Sequence, residues 1–212
     1  MTELFFGAND NFEVAEFPTR KVIDEIEMVM TAFDCVLADD TGVYCSSELT
    51  SGKRYCIDLL AANGVHSNEE LIRQLGEEAS AHAKNEFMKA SVARSVEFTE
   101  TLRERGLVNV VNPGPFHARG FDQQHYLYLW EWVIIKKIYQ IHFNEDWQYS
   151  NGCTLEYAIA ARKGIPRLNH LGAPLDSAQA AAMIERGISE LKTLGFSVEK
   201  LERNLSLLRA LT

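Results

Sequence analysis

Between Trp147 and Pro166 the chain reads WQYSNGCTLEYAIAARKGIP, and Glu156 is the residue there best placed to do chemistry. Ser150-Asn151-Gly152 reads as the end of a loop, with a helix starting directly after it. Glu156 then falls about one turn into that helix. A helix start offers free backbone N–H groups and the positive end of the helix dipole, which suit an anionic ligand or a carboxylate. An acid that merely offsets the dipole would sit in the same place. Leu155, Tyr157, Ala158 and Ile159 are apolar, however, so most of this helix is buried and Glu156 is not freely solvated.

Other groups gather in two further loops. Ser46, Ser47 and Ser51, followed by Lys53 and Arg54, supply hydroxyls, amides and cations that could hold a phosphate; an ordinary polar turn has the same composition. His117, Arg119, Asp122 and His125 follow the turn Asn112-Pro113-Gly114-Pro115 and could grip an anion or exchange a proton. The aromatic stripe Tyr126, Tyr128, Trp130 and Trp132 could stack on a base, although helix core is the commoner use of such a stripe. Cys35, Cys45, Cys56 and Cys153 form no CxxC pair and no zinc-ligand spacing with His, which implies reduced thiols and no metal.

Periodicity supplies the elements that must position these groups. Helical spacing predicts helices over Arg20–Phe33, from Ser67 onward with Ser67 as cap, over Asn85–Arg105, Gln123–Lys137, Cys153–Lys163, Ser177–Leu194 and Val198–Leu211. Strands are expected at Val43–Ser46, Leu107–Val111, Ile138–Phe143 and Arg167–Leu171. Residues 1–19 read as an irregular arm, and residues 1–41 as an N-terminal extension carrying one amphipathic helix. The alternation predicts an α/β three-layer sandwich over residues 42–212, Rossmann-like or flavodoxin-like. Its mainly parallel sheet has four or five strands flanked by helices. Ligands of such sheets bind beyond the carboxyl ends of the strands, which nominates Ser46–Lys53, Asn112–Asp122 and Asn144–Gly152.

A formal net charge of −9 over 212 residues disfavours duplex nucleic acid as a partner. No run of about 18 apolar residues predicts a membrane span. The first residues lack the basic start of a secretory leader, so a cytoplasmic location is expected.

The Trp147–Pro166 segment resembles the signature of the nucleoside 2-deoxyribosyltransferase-like superfamily. In that signature a polar loop with Ser or Asp before Gly precedes a Glu six residues on, then an Ala-rich helix. It is also similar to a phage and bacterial branch whose loop reads Trp-Glu-x-Ser-x-Gly. The resemblance spans about residues 42–172. Val43-Tyr44-Cys45-Ser46-Ser47 resembles the family's first strand and substrate loop, Arg94 through Gly106 its next helix, and Val110-Val111-Asn112-Pro113 its second strand. The family's Glu attacks the anomeric carbon of a nucleoside or nucleotide, which makes Glu156 the implied nucleophile. Ser150 stands where many transferases have Asp, and the hydrolase branch places there a Ser that contacts a 5′-phosphate. Glu131 stands in for one family acid; a second, before the third strand, is replaced by Lys136-Lys137.

The resemblance therefore implies hydrolysis of the N-glycosidic bond of a nucleoside or its 5′-monophosphate, with Glu156 and Glu131 catalytic. Ser46, Ser47, Ser51, Arg94, Asn112, His117, Ser150, Asn151 and Gly152 would bind substrate, with no cofactor. The alternatives are base exchange between deoxynucleosides and a nucleotide-binding module without catalysis. Family relatives commonly form homodimers or larger homo-oligomers, and the same is expected here.

Overall fold

A computed structural model describes residues 20–211, without the side chains of residues 20–22 and Gln124. The expected arm at 1–19 lies outside the described residues. Four parallel strands of the described residues form one sheet: β1 (Gly42–Ser46), β2 (Val110–Val111), β3 (Ile138–Phe143) and β4 (Arg167–Asn169), in the order β2-β1-β3-β4. Among the described residues, seven α-helices accompany them: α1 (Arg20–Val36), α2 (Asn68–Leu75), α3 (Glu77–Glu104), α4 (Gln123–Lys137), α5 (Asn151–Lys163), α6 (Ser177–Thr193) and α7 (Glu199–Arg209). The α/β expectation with a parallel sheet and flanking helices is met, with four strands.

β1 is buried along its whole length because helices cover both of its faces. Alternate residues on a strand point to opposite faces. On one face Cys45 packs with Phe98 and Leu102 of α3. On the other, Tyr44, Ile141 and Phe143 join Leu129, Val133 and Tyr157 of α4 and α5. α4 and α5 pack together, α7 lies against α5 and α6, and α1 lies against α4. The chain leaves β1 for β2 on one side and returns to β3 on the other. The strand order therefore reverses between β1 and β3, the kind of point beyond whose carboxyl ends parallel α/β sheets hold their ligands.

Several boundaries moved, each for a local reason. The second strand shrinks from Leu107–Val111 to Val110–Val111, because Asn109 has a left-handed backbone (φ 55) that breaks the extension. The last strand ends at Asn169, whose side-chain oxygen accepts the N–H groups of Leu171 and Ala173 and turns the chain. Ser67 caps α2 as expected, accepting from the Glu70 N–H. α3 starts at Glu77, eight residues before the expected start, and runs unbroken to Glu104. α5 starts at Asn151 rather than Cys153. That shift puts Glu156 in the second turn of its helix, beyond the reach of a dipole-only explanation.

Candidate active site at the carboxyl end of β1

Position 156 is set by its neighbours before any ligand is considered. Trp147 stacks on Tyr157 at 5.1 Å and leans on Phe143 at 4.9 Å, tying the β3–α5 loop to the helix. The Tyr157 hydroxyl donates to the Leu175 carbonyl at 2.9 Å. Ser150 caps α5 by accepting from the Cys153 N–H. From α7, the Asn204 amide donates to the Asn151 carbonyl and to Thr154 Oγ1, both at 2.9 Å. Gly164 closes the helix at φ 75, a left-handed stop that costs glycine little. The helix is thus held at both ends, and Glu156 has one place to go.

That place is the end of β1. Tyr44 donates its hydroxyl to Glu156 Oε1 at 2.7 Å, and Ser46 donates to Oε2 at 2.6 Å. Tyr44 and Ser46 are two residues apart on a strand, hence on one face. Burial pushes the Glu156 carboxyl up from 4.5 to about 7, against the two hydroxyls, which favour the charged form. The side chain still keeps partial exposure while Tyr44 and Ser46 are fully buried. The result is a partly exposed carboxylate with a fixed hydroxyl donor on each oxygen.

Around it stand the other expected residues. The Ser51 hydroxyl lies 3.3 Å from that of Ser150 and accepts the Asn151 N–H at 3.2 Å. Both Ser51 and Ser150 therefore spend their hydroxyls on the α5 N-terminus. Gly152 is exposed at that end. Ser47 accepts from the Asn144 amide at 3.3 Å, linking the ends of β1 and β3. Trp130 meets Tyr44 edge to face at 6.2 Å and Phe116 at 5.3 Å, so the aromatic stripe of α4 walls the site from the side of the β2–α4 loop.

Other expectations find different employment. Asn112 makes a turn, accepting from the Gly114 N–H at 2.9 Å and donating to Ser95 at 3.3 Å. Arg94 donates to Ser91 at 2.8 Å and lies over the Phe87 ring. His117 is exposed on the β2–α4 loop. His125 is buried, stacked on Phe121 at 4.8 Å and 2.8 Å from Asp122, so it anchors the start of α4. Glu131 is 1% exposed on α4, and its charge contributes to raising the Tyr128 phenol. Lys137, the residue before β3, holds Asp34 and Asp39 at 2.6 Å each and ties the end of α4 to α1.

Two residues escaped the sequence reading. Tyr44 had a signal: it shares a strand face with Ser46, opposite a helix bearing a carboxylate. Glu48 had none beyond its place in a polar loop. It is 7% exposed, and burial pushes its carboxyl up to about 7. A cleft of about 310 Å3 adjoins this region, walled by Asn144, Asp146, Trp147 and His170 among others. Glu156 is not in its wall, but Asn144 binds Ser47, and the Asp146 charge reaches Glu48, so the cleft and the β1 loop are neighbours.

No protein-family model, curated protein or solved structure matches the chain. Among the described residues no helix is long and apolar enough to cross a membrane.

Proposed function

We propose that the protein hydrolyses the N-glycosidic bond of a nucleoside or nucleoside 5′-monophosphate, with Glu156 as nucleophile. The observation that carries this reading is the carboxylate of Glu156, held by Tyr44 and Ser46 at the point where the strand order reverses. The likeness of residues 42–172 to the nucleoside 2-deoxyribosyltransferase-like superfamily supports it. Ionised Glu156 attacks the anomeric carbon, and the C–N bond breaks with its electron pair passing to the base. The base takes up a proton, and the sugar remains as an ester on Glu156. Water then attacks the anomeric carbon, gives up a proton, and regenerates the carboxylate. The two hydroxyls keep the attacking oxygens aligned and lower the cost of holding a charge in a dry site.

A second reading, a binding module without turnover, draws on Lys137. The residue at the second acid's position serves the α1 contact and offers no carboxylate. One experiment separates the readings. The protein is incubated with nucleosides and their 5′-monophosphates, with and without a free acceptor base, and released base is quantified. Hydrolysis predicts base release without an acceptor, and Glu156→Ala abolishes it. Release only in the presence of an acceptor supports base exchange. A ligand that raises the melting temperature yet loses no base supports the binding module. Base release by Glu156→Ala at the wild-type rate removes Glu156 from the mechanism.

A further inference from the structure

We propose that Asn204 is a positioning residue for Glu156: from α7 it fixes the rotation and register of α5, and so the place of the carboxylate against Tyr44 and Ser46. The kinetic consequence rests on the N-glycosidase reading above, while the placement rests on geometry alone.

α7 buries Leu201, Asn204, Leu205 and Leu208. Leucines pack without direction, so a face made of leucine alone tolerates a slip or a turn of one helix against its neighbour. Asn204 is the polar member of that face and is 6% exposed. A buried amide is costly unless its hydrogen bonds are made. Asn204 makes them to α5, donating to the Asn151 carbonyl and to Thr154 Oγ1 at 2.9 Å each. The buried Thr154 hydroxyl extends the link, donating to the Ser150 carbonyl at 2.9 Å. In coiled coils a single buried asparagine fixes the register of an otherwise apolar helix pair, and the arrangement here has the same physical basis.

The grip falls behind Glu156. At about 100° per residue, Thr154 and Glu156 stand about 200° apart round the helix. Asn204 therefore holds the back of α5 while Glu156 faces β1. A long side chain ends roughly 6 Å from its helix axis, so a turn of about 10° displaces a carboxylate by about 1 Å. The Tyr44 and Ser46 bonds, at 2.7 and 2.6 Å, do not both survive such a displacement. The serine contacts at this end are longer: Ser51 accepts the Asn151 N–H at 3.2 Å, and Ser150 accepts the Cys153 N–H at 3.5 Å.

The test uses Asn204→Ala, Thr154→Val and, as a packing control on the same face of α7, Leu208→Ala. Thr154→Val removes one of the two Asn204 bonds from the α5 side at nearly constant shape. The Glu156 carboxyl is titrated by infrared difference spectroscopy, with Glu156→Gln identifying its band, and urea denaturation gives the stability of each variant. Asn204→Ala and Thr154→Val are expected to move the Glu156 titration upward by about one pH unit, since donors that favour its charged form are loosened. In Asn204→Ala, kcat for base release is expected to fall by on the order of 10²-fold with KM little changed, as befits a displaced nucleophile. Leu208→Ala is expected to lose at least as much stability and to leave the titration and kcat near wild type. An unmoved titration in Asn204→Ala and Thr154→Val overturns the proposal, as does an equal movement in Leu208→Ala. Should Asn204→Ala not fold, Thr154→Val decides by the same reading. Failure of the catalytic reading looks different: the wild-type protein releases no base, while the titration, measured without substrate, still tests the role of Asn204.

Discussion

The second turn of α5 and the loop after β1 each bury one glutamate, and burial pushes both carboxyls up to about 7. Their surroundings are otherwise opposite. Glu156 receives a hydroxyl on each oxygen from a rigid central strand. Glu48 receives no hydrogen bond from the described residues, and its nearby cation stands too far off to donate one. Similar proton affinities therefore conceal different capacities. Fixed donors orient a carboxylate and favour its charged form, whereas unmet acceptors make the charged form costly.

The sharpest way to break this comparison is to neutralise Glu156. Glu156→Gln is expected to lower base release by on the order of 10³-fold or more. A comparable loss from Glu48→Gln would make the two residues equivalent in role and sink the distinction.

Stability offers the next test. Both glutamates bind a proton more tightly folded than unfolded, so folding takes up protons between pH 4.5 and about 7. Their contribution is present in full below pH 4.5 and is lost as pH rises through 7. Glu156→Gln should therefore be more stable than wild type at pH 8, by up to about 3 kcal/mol, with the gain vanishing toward pH 4.5. Urea denaturation at several pH values measures it, and a gain that grows toward acid pH would contradict the burial account.

Two smaller effects separate donors from packing. Tyr44→Phe removes one donor from the charged form of Glu156 and should move the acid limb of the rate profile, expected near pH 7, upward by about one unit. Activity would then recover at high pH, and a uniform loss at all pH values would point to altered packing. Gly52→Ala should destabilise by about 1–3 kcal/mol, because φ +122 and the Glu48 carboxylate both oppose a side chain. Wild-type stability in that variant would mean that Glu48 is free to move and is not held in place. Least of all, Lys53→Met should cost under about 1 kcal/mol in denaturation, since Glu190 is half exposed and its pair is screened by water.

Much of the scaffold was legible beforehand. α4 and β3 occupy the expected Gln123–Lys137 and Ile138–Phe143, since a long periodic run and a β-rich run there leave no ambiguity. The π-helical turn Tyr55–Leu60 was not foreseen, as its wide hydrogen-bonding pattern has no clear signature in one sequence. The resemblance implies Asn112 as a substrate contact, and His125 falls in a charged cluster on a strand-end loop. Their partners Gly114, Ser95, Asp122 and Phe121 turn them into parts of the framework.

From the sequence alone came the alternation of strands and helices, the crevice it implies and Glu156 as the residue to watch. Local periodicity and turn chemistry suffice for those, because they act over a few residues. The tertiary structure decided what Glu156 touches. Tyr44 and Ser46 are 112 and 110 residues away along the chain, and only strand register against a helix brings such groups within 3 Å. It also decided which polar side chains were left unmet. Ser51 and Ser150 look like ligand-binding groups on paper and are spent on a helix end, while Glu48 looks like a loop residue and is buried without a donor among the described residues. Satisfaction of a polar group depends on the atoms that surround it in three dimensions, and residue type and spacing carry little of that information.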